Sequence, residues 1–285
     1  MPVGETIRGL LELTRPVNSV AAGFLTFIGA YVAGGVTASP IETAAAVGAT
    51  VSATGAGNAI NDYFDREIDR INQPGRAIPR GAVSPRGALG FSFVLFAIAV
   101  ALALVLPALA IAIAVVNLLA LLAYTEFFKG LPGVGNALVA YLGGSTFLFG
   151  GAAVGNVGAA VVLFVLAALS TMSREIIKDV EDLEGDREEG LNTLPIAIGR
   201  RRALYVGAVS LAVAILASPV PYLSMDFGLA YLLIVVPAVA VMAYAMVESF
   251  ADPTAGHEHL KYGMFLAALA FVVGRMALEV PWVPA

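Results

Sequence analysis

The sequence predicts an all-α polytopic membrane protein: nine transmembrane helices in one bundle, with the N-terminus on the cytoplasmic side. Three observations carry that expectation. Of the 285 residues, 59% are hydrophobic and 13% charged. Soluble domains run at about 45–50% and about 25%, so too little charge is present for a solvated surface. Apolar stretches long enough to cross a bilayer lie at about 18–38, 43–61, 88–105, 108–125, 133–154, 157–173, 203–220, 228–247 and 260–278. With that count, fifteen of the sixteen Lys and Arg residues fall on or beside one face, and the intervening loops 39–42, 106–107, 155–156 and 221–227 contain none. Basic residues favour the cytoplasmic side, so that face is cytoplasmic; only Arg275, inside the ninth stretch, departs.

Each element follows in chain order. Met1 to Thr14 are mixed polar and apolar and lack the basic segment and uncharged core of a cleavable signal. The first span ends at Gly34-Gly35 and Pro40. The second runs into a run of acids that begins at Asn61. The third and fourth are separated by Pro107; as one helix, residues 88–125 would extend about 57 Å at 1.5 Å per residue, nearly two bilayer cores, so a break is expected there. Glycines at 130–133 precede the fifth span, and Gly155 to Gly158 separate it from the sixth, which enters a second acidic run. Pro219 and Pro221 end the seventh, and residues 248–259 join the eighth to the ninth. The chain reads as a single domain over 1–285. Cysteine is absent, which excludes disulfides, thiolate nucleophiles and Cys-based zinc sites. His257 and His259 are too few for a three-histidine metal site.

The acids carry the chemistry. The second span runs into Asn61-Asp62-Tyr63-Phe64-Asp65-Arg66-Glu67-Ile68-Asp69, and the sixth into Lys178-Asp179-Val180-Glu181-Asp182-Leu183-Glu184-Gly185-Asp186. Both have the spacing Asp-x-x-Asp-x-x-x-Asp, 117 residues apart, and both close an even-numbered span, so they emerge on one face. This is a weak internal repeat whose halves could face one another across a pseudo-symmetric bundle. On a continuous helix, positions i, i+3 and i+7 fall within about 60°, so each set of three carboxylates is expected to line one stripe. Like charges so placed repel unless a cation neutralises them. Mg²⁺ suits the set, because it takes hard oxygen ligands and commonly combines one or two carboxylates with substrate phosphate oxygens. Candidate metal ligands are therefore Asn61, Asp62, Asp65, Asp69, Asp179, Asp182 and Asp186. A loop needing only solubility has no reason to repeat one spacing twice. Glu67, Glu181 and Glu184 fall off the stripe and are expected to face solvent or pair with arginines.

Bases complete a candidate phosphate site, with arginine binding as a planar fork and lysine as a point charge. Arg76 and Arg80 follow the first motif, Lys129 closes the fourth span, and Arg174 and Lys178, four apart, precede the second motif. Arg15 and Asn18, at the start of the first span, could turn a polar face the same way. Arg86, Arg187 and Arg200 to Arg202 are explained by topology alone.

Read together, these residues resemble the UbiA superfamily of intramembrane prenyltransferases. The family signature Asn-Asp-x-x-Asp-x-x-x-Asp matches Asn61, Asp62, Asp65 and Asp69, and its second, Asp-x-x-x-Asp, matches Asp182 and Asp186, followed by Thr193 and Gly199. The resemblance implies a helical bundle around a central cavity open to lipid, with Mg²⁺ carried by both motifs and a prenyl group passing from an isoprenyl diphosphate to an acceptor. Leu13 to Asn18, Tyr124 to Pro132 and Ser173 to Asp179 are most similar to the archaeal branch that alkylates geranylgeranylglyceryl phosphate with geranylgeranyl diphosphate, making the second ether bond of archaeal lipids. Gly75-Arg76-Ala77, where quinone-prenylating members have Asn-Arg-Pro, and a Tyr124-to-Lys129 gap one residue longer than theirs, point away from that branch. The resemblance implies catalytic roles for Asp65, Asp69, Asp182, Asp186, Lys129 and Arg76, and substrate contacts for Arg15, Asn18, Arg174, Lys178 and Tyr124. Tyr63, Phe64, Phe127, Phe147 and Phe149 could shield a carbocation through their ring faces, with core packing or a lipid-facing position the first expectation for any single one. The expected partners are an isoprenyl diphosphate, a lipid acceptor and the bilayer, with no nucleic acid and no protein partner required. The expected location is the cell membrane, with the site facing the cytoplasm.

Prenylation of a quinone or other aromatic acceptor is the alternative within the family. A cation transporter would also have repeats and acidic helices, but its carboxylates should sit near the bilayer midplane, whereas these fall at the ends of spans. A CDP-alcohol phosphotransferase would carry its Asp and Gly residues in one motif rather than two.

Overall fold

The computed structural model describes residues 3–128 and 130–279, and these contain helices and no strand. The order is α1 (Val3–Leu13), α2 (Pro16–Val32), α3 (Pro40–Phe64), α4 (Arg66–Asn72), α5 (Pro85–Ala103) and α6 (Ala108–Ala123), then a π-helical turn Tyr124–Phe128. It continues with α7 (Val134–Ala153), α8 (Val157–Glu181), α9 (Leu183–Glu188), α10 (Leu194–Ile198), α11 (Arg200–Ala217), α12 (Val220–Ser224), α13 (Gly228–Glu248) and α14 (Pro253–Glu279). Helices α2, α3, α5, α6, α7, α8, α11, α13 and α14 overlie the nine apolar stretches in order. Five segments are long and apolar enough to cross a bilayer by themselves: α5, α8, α11 with α12, α13 and α14. Helices α2 and α6 are apolar but shorter. The protein is thus an integral membrane protein by composition and helix length.

Helix ends follow local chemistry. Proline occupies the first turn of α2, α3 and α5, where its missing N–H costs nothing. Ser84 caps α5 by accepting from Gly87 N at 3.1 Å. The chain breaks between α5 and α6 at Leu104 to Pro107, as the length argument expects.

Small residues set the central packing. A Cβ on Gly29 of α2 would strike the Phe147 backbone of α7, and one on Gly150 of α7 would strike the Thr26 carbonyl of α2. Backbones approach this closely only where side chains are absent, the usual source of helix association where lipid removes the hydrophobic driving force. Around that contact Ile28, Val32, Phe147, Leu163, Tyr231 and Phe271 form one core. The buried Tyr231 hydroxyl donates to Ser218 O at 2.7 Å. A second core joins Ile176, Ile177 and Val180 of α8 to α11, α13 and α14. Phe147 and Phe149 are buried in these and a neighbouring core, while Phe64 and Phe127 are exposed. Phe147 and Phe149 are thus packing residues, the alternative expected for any single one of these rings. Arg275, the exception to the charge rule, has its guanidinium against Gly34 at the C-terminal end of α2 and its Nε 3.3 Å from Glu279. A cation there complements the helix dipole.

Candidate functional site: two aspartate hinges

The spacing repeat has a counterpart in the backbone. Helices α3 and α8 each hold 25 residues, begin 117 residues apart, and follow residues of like conformation, Ser39 (φ −132°, ψ 59°) and Asn156 (φ −131°, ψ 67°). Each ends one residue before the middle aspartate of its motif. Asp65 (φ −80°, ψ 0°) and Asp182 (φ −84°, ψ 5°) both sit in the bridge region between α and extended backbone, and the short helices α4 and α9 start immediately after them. The three aspartates of a motif therefore do not form a stripe on one continuous helix. The first lies on the long helix, the second at a hinge and the third on the short helix. No glycine or proline marks the hinge, so a continuous helix was the natural reading.

At the first hinge the outer aspartates are buried and ion-paired. Arg15 Nη2 donates to Asp62 Oδ1 at 2.7 Å. Arg76 Nη1 donates to Asp69 Oδ2 at 2.6 Å and reaches Asp62 Oδ1 at 3.4 Å, so one guanidinium straps α3 to α4. Arg76 Nε donates to Gln73 Oε1 at 2.9 Å. Arg15 joins α1 to α2 with φ +46°, ψ 70°, a left-handed conformation that costs a non-glycine residue about 1–2 kcal/mol. That strain is offset by the pairing with a buried carboxylate, and backbone strain of this kind concentrates at functional sites. Asn61 and Asp65 are half-buried, and Asn18 is exposed. Glu67 accepts from Arg70 at 2.7 Å, in line with the expectation for acids off the stripe.

At the second hinge neutral donors take the arginines' place. Asn136 Nδ2 of α7 donates to Asp179 Oδ2 at 2.8 Å, and the Thr193 hydroxyl donates to Asp186 Oδ2 at 3.2 Å. Lys178 Nζ stands 3.5 Å from Asp182 Oδ2. Arg174 pairs with its neighbour Glu175. Glu181, the last residue of α8, is held by His257 Nδ1 of α14 at 3.2 Å. Burial, with the charges of Asp182 and Glu189 beside it, pushes the Asp186 carboxyl above the ordinary carboxylate value, against the pull of Thr193 and Lys178. The hinge borders an open cavity of about 630 Å³ lined by Glu181, Asp182, Glu184, Asp186, Glu189 and Arg200, among others. Tyr124 lies within electrostatic reach of Glu175, Asp179 and Asp186. Lys129 lies outside the described residues.

Asn136 was missed from sequence, although a signal existed. It is the third residue of α7 as Asn18 is of α2, and both helices follow a residue in left-handed conformation, Arg15 and Gly133. Reading the repeat back one helix pairs the two asparagines only with a one-residue shift, since they stand 118 rather than 117 residues apart. Among the described residues no ion pair joins the two hinges, and no three His, Asp or Glu groups converge enough to hold a metal alone. The donor set nonetheless suits Mg²⁺: all oxygens, an excess of carboxylate at the second hinge, and room for substrate oxygens to complete the shell.

Comparison with known proteins adds the following. The model of the UbiA prenyltransferase family matches residues 22–269. The chain is 67% identical over 275 residues to the digeranylgeranylglyceryl phosphate synthase of Natronomonas pharaonis, covering 96% of this chain and 99% of that one. It is 39% identical to the synthase of the same name from Thermococcus kodakarensis, covering 94% and 98%. A solved structure of a digeranylgeranylglyceryl phosphate synthase in membranes superposes with a TM-score of 0.84 at 35% identity, covering 95% of this chain and 99% of that one. A UbiA homologue from Archaeoglobus fulgidus, bound to GPP and Mg²⁺, gives 0.71 at 20% identity, covering 95% and 100%, and shows the same fold.

Proposed function

The chain belongs to the UbiA prenyltransferase family, and from that premise we propose that it transfers a geranylgeranyl group from geranylgeranyl diphosphate to geranylgeranylglyceryl phosphate. The observation that carries this reading is the pair of aspartate hinges, alike in spacing and backbone, in a chain 67% identical to a digeranylgeranylglyceryl phosphate synthase. The acceptor's free hydroxyl oxygen bonds to C1 of the prenyl chain, the C1–O bond to diphosphate breaks, and the hydroxyl proton is lost. The product carries the second ether bond of an archaeal lipid.

Asn61, Asp62, Asp65, Asp69, Asp179, Asp182 and Asp186 are the proposed Mg²⁺ ligands. These residues would hold a Mg²⁺ ion that, when bound, would supply neutralisation of the charge developing on the leaving diphosphate. The chain's own groups bind and orient. Arg76 spends Nε and Nη1 on Gln73, Asp62 and Asp69, which leaves Nη2 to donate to a phosphate oxygen; Lys129 is assigned the same task. Preorganised donors of this kind act where charge develops. Arg15, Asn18, Arg174, Lys178 and Tyr124 are assigned to the acceptor. Arg15 and Arg174 already pair with acids, so an arriving phosphate competes with Asp62 and Glu175 for them. All nine long helices are proposed to span the membrane as one domain over 1–285, around a cavity holding the prenyl chains. The N-terminus and both hinges then face the cytoplasm, which the segregation of the basic residues supports.

The test is Mg²⁺-dependent diphosphate release by purified protein given geranylgeranyl diphosphate with either geranylgeranylglyceryl phosphate or a quinone precursor. Release with the glyceryl phosphate alone is expected. Release with the aromatic acceptor alone, or none with either, overturns the assignment.

A further inference from the structure

Helix α1 takes no part in the chemistry above, yet its surface is zoned. At ~100° per residue its eleven residues divide into three arcs. Gly9 and Leu13 are buried against the loop that follows α4: a Cβ at Gly9 would come within 2.7 Å of Val83 Cγ2 and 3.1 Å of Ala82 Cβ. Glu5, Arg8 and Glu12 form a charged arc, in which Arg8 Nε donates to Glu12 Oε1 at 3.0 Å and Arg80 Nη2 stands 2.6 Å from Glu12 Oε2. Val3, Ile7 and Leu11, spaced by four, form the third arc and are 76%, 54% and 58% exposed. Eleven residues reach about 16 Å, too short to cross a bilayer core of about 30 Å. The exposed apolar surface resumes just beyond α1, at Val17, Val20 and Phe24 of α2, an apolar helix of an integral membrane protein.

We infer that α1 is an interfacial helix whose partner is the lipid surface: Val3, Ile7 and Leu11 lie in the boundary between headgroups and acyl chains, while Glu5, Arg8 and Glu12 stay in water. Such a helix is held by its apolar face. The charged arc has two acids to one base rather than a polybasic cluster, so the apolar boundary is the partner and anionic headgroups are not required. The arrangement also ties the bilayer to the first hinge. Leaflet contact fixes α1, and α1 fixes the loop behind it through Gly9 and Glu12. That loop carries Arg76, and the strained Arg15 sets the angle at which α1 leaves α2. This positional consequence rests on the reading of Arg15 and Arg76 in the preceding subsection; lipid contact itself does not.

The experiment uses the full chain reconstituted in vesicles of zwitterionic lipid brominated along the acyl chains, with Trp282→Phe removing its one tryptophan. A single reporter is placed by Ile7→Trp or by Glu5→Trp. Bromolipid should quench Ile7→Trp at least about twofold more than Glu5→Trp, aqueous iodide should reverse that order, and adding an anionic lipid should change neither. Equal iodide quenching at both sites overturns the inference. Shielding of Ile7→Trp from both quenchers also overturns it, because a protein surface, such as a second copy, would then cover the face. A requirement for anionic lipid overturns the apolar assignment. No prenyl transfer is measured, so failure here is separate from failure of the proposed reaction.

Discussion

At the first hinge Asp62 and Asp69 are buried against the guanidinium groups of Arg15 and Arg76, whereas at the second, among the described residues, Asp179 and Asp186 accept only from the amide of Asn136 and the hydroxyl of Thr193. Backbone, helix length and carboxylate spacing are shared; the counter-charge is not. At the first hinge two of the three aspartates are balanced by guanidinium groups, and Arg76 straps the bend. At the second only Asp182 has a cation beside it among the described residues, Lys178 at 3.5 Å, and the bend is steadied from outside by His257 on Glu181. A repeat that preserves geometry while diverging in neutralisation gives its halves different electrostatics. The first presents arginine N–H groups beside its carboxylates, and the second presents carboxylates held mainly by neutral donors.

Equality at the bend itself is the part of this comparison with the largest consequence. Asp65 and Asp182 occupy the same backbone position, Asp65 without an ion-pair partner among the described residues and Asp182 with only Lys178 at 3.5 Å, so Asp65→Asn and Asp182→Asn should each lower turnover about a hundredfold or more, the range for loss of one preorganised electrostatic group. Steady-state diphosphate release at saturating Mg²⁺ checks this. If only one variant loses activity, the hinges are not functional equivalents.

Stability should separate the hinges next. Removing the strap by Arg76→Ala leaves two buried carboxylates short of a partner, which costs about 3 kcal/mol in a buried pair. Asn136→Ala removes one hydrogen bond from a neutral donor to the Asp179 carboxylate and should cost about 1.5 kcal/mol, the low end for a bond to a charged group. Thermal melts in one detergent without Mg²⁺ compare them directly. Equal losses would mean that Asn136 does as much at its hinge as the guanidinium does at the other.

The sequence made the helices and carboxylate spacing legible because both are local: apolar runs of the right length, and a period of three and four written twice. The hinge was not legible, because Asp65 and Asp182 sit among helix-compatible neighbours and the bend comes from tertiary contacts such as Arg76 to Asp69 and Thr193 to Asp186. Asn136 and His257 escaped for the same reason. Each meets its acid from a helix far away in sequence, and a single polar residue near the start of an apolar stretch carries no period. Helix α1 lay in a mixed segment whose three arcs mean something only once the loop containing Val83 is seen behind Gly9.

The sign of a charge-neutralising change gives the subtlest contrast. Asp69→Asn strips Arg76 of its closest partner and should destabilise the Mg²⁺-free protein by about 1–3 kcal/mol. Asp186→Asn removes a carboxylate whose ionisation is disfavoured by burial and by Asp182 and Glu189, so it should be neutral or slightly stabilising, since solvent screens most of that repulsion. The pH dependence follows in sign. A carboxyl raised above its ordinary value of 3.8 contributes stability that is fully present below that value and lost as pH rises through its folded-state value. Melts of the Mg²⁺-free protein from about pH 4 to 7 should therefore show a small fall assignable to Asp186, absent in Asp186→Asn and suppressed by Mg²⁺, which takes the place of the proton. If Asp186→Asn destabilised as much as Asp69→Asn, the second hinge would be as well compensated as the first, and its excess charge would no longer argue for a bound cation.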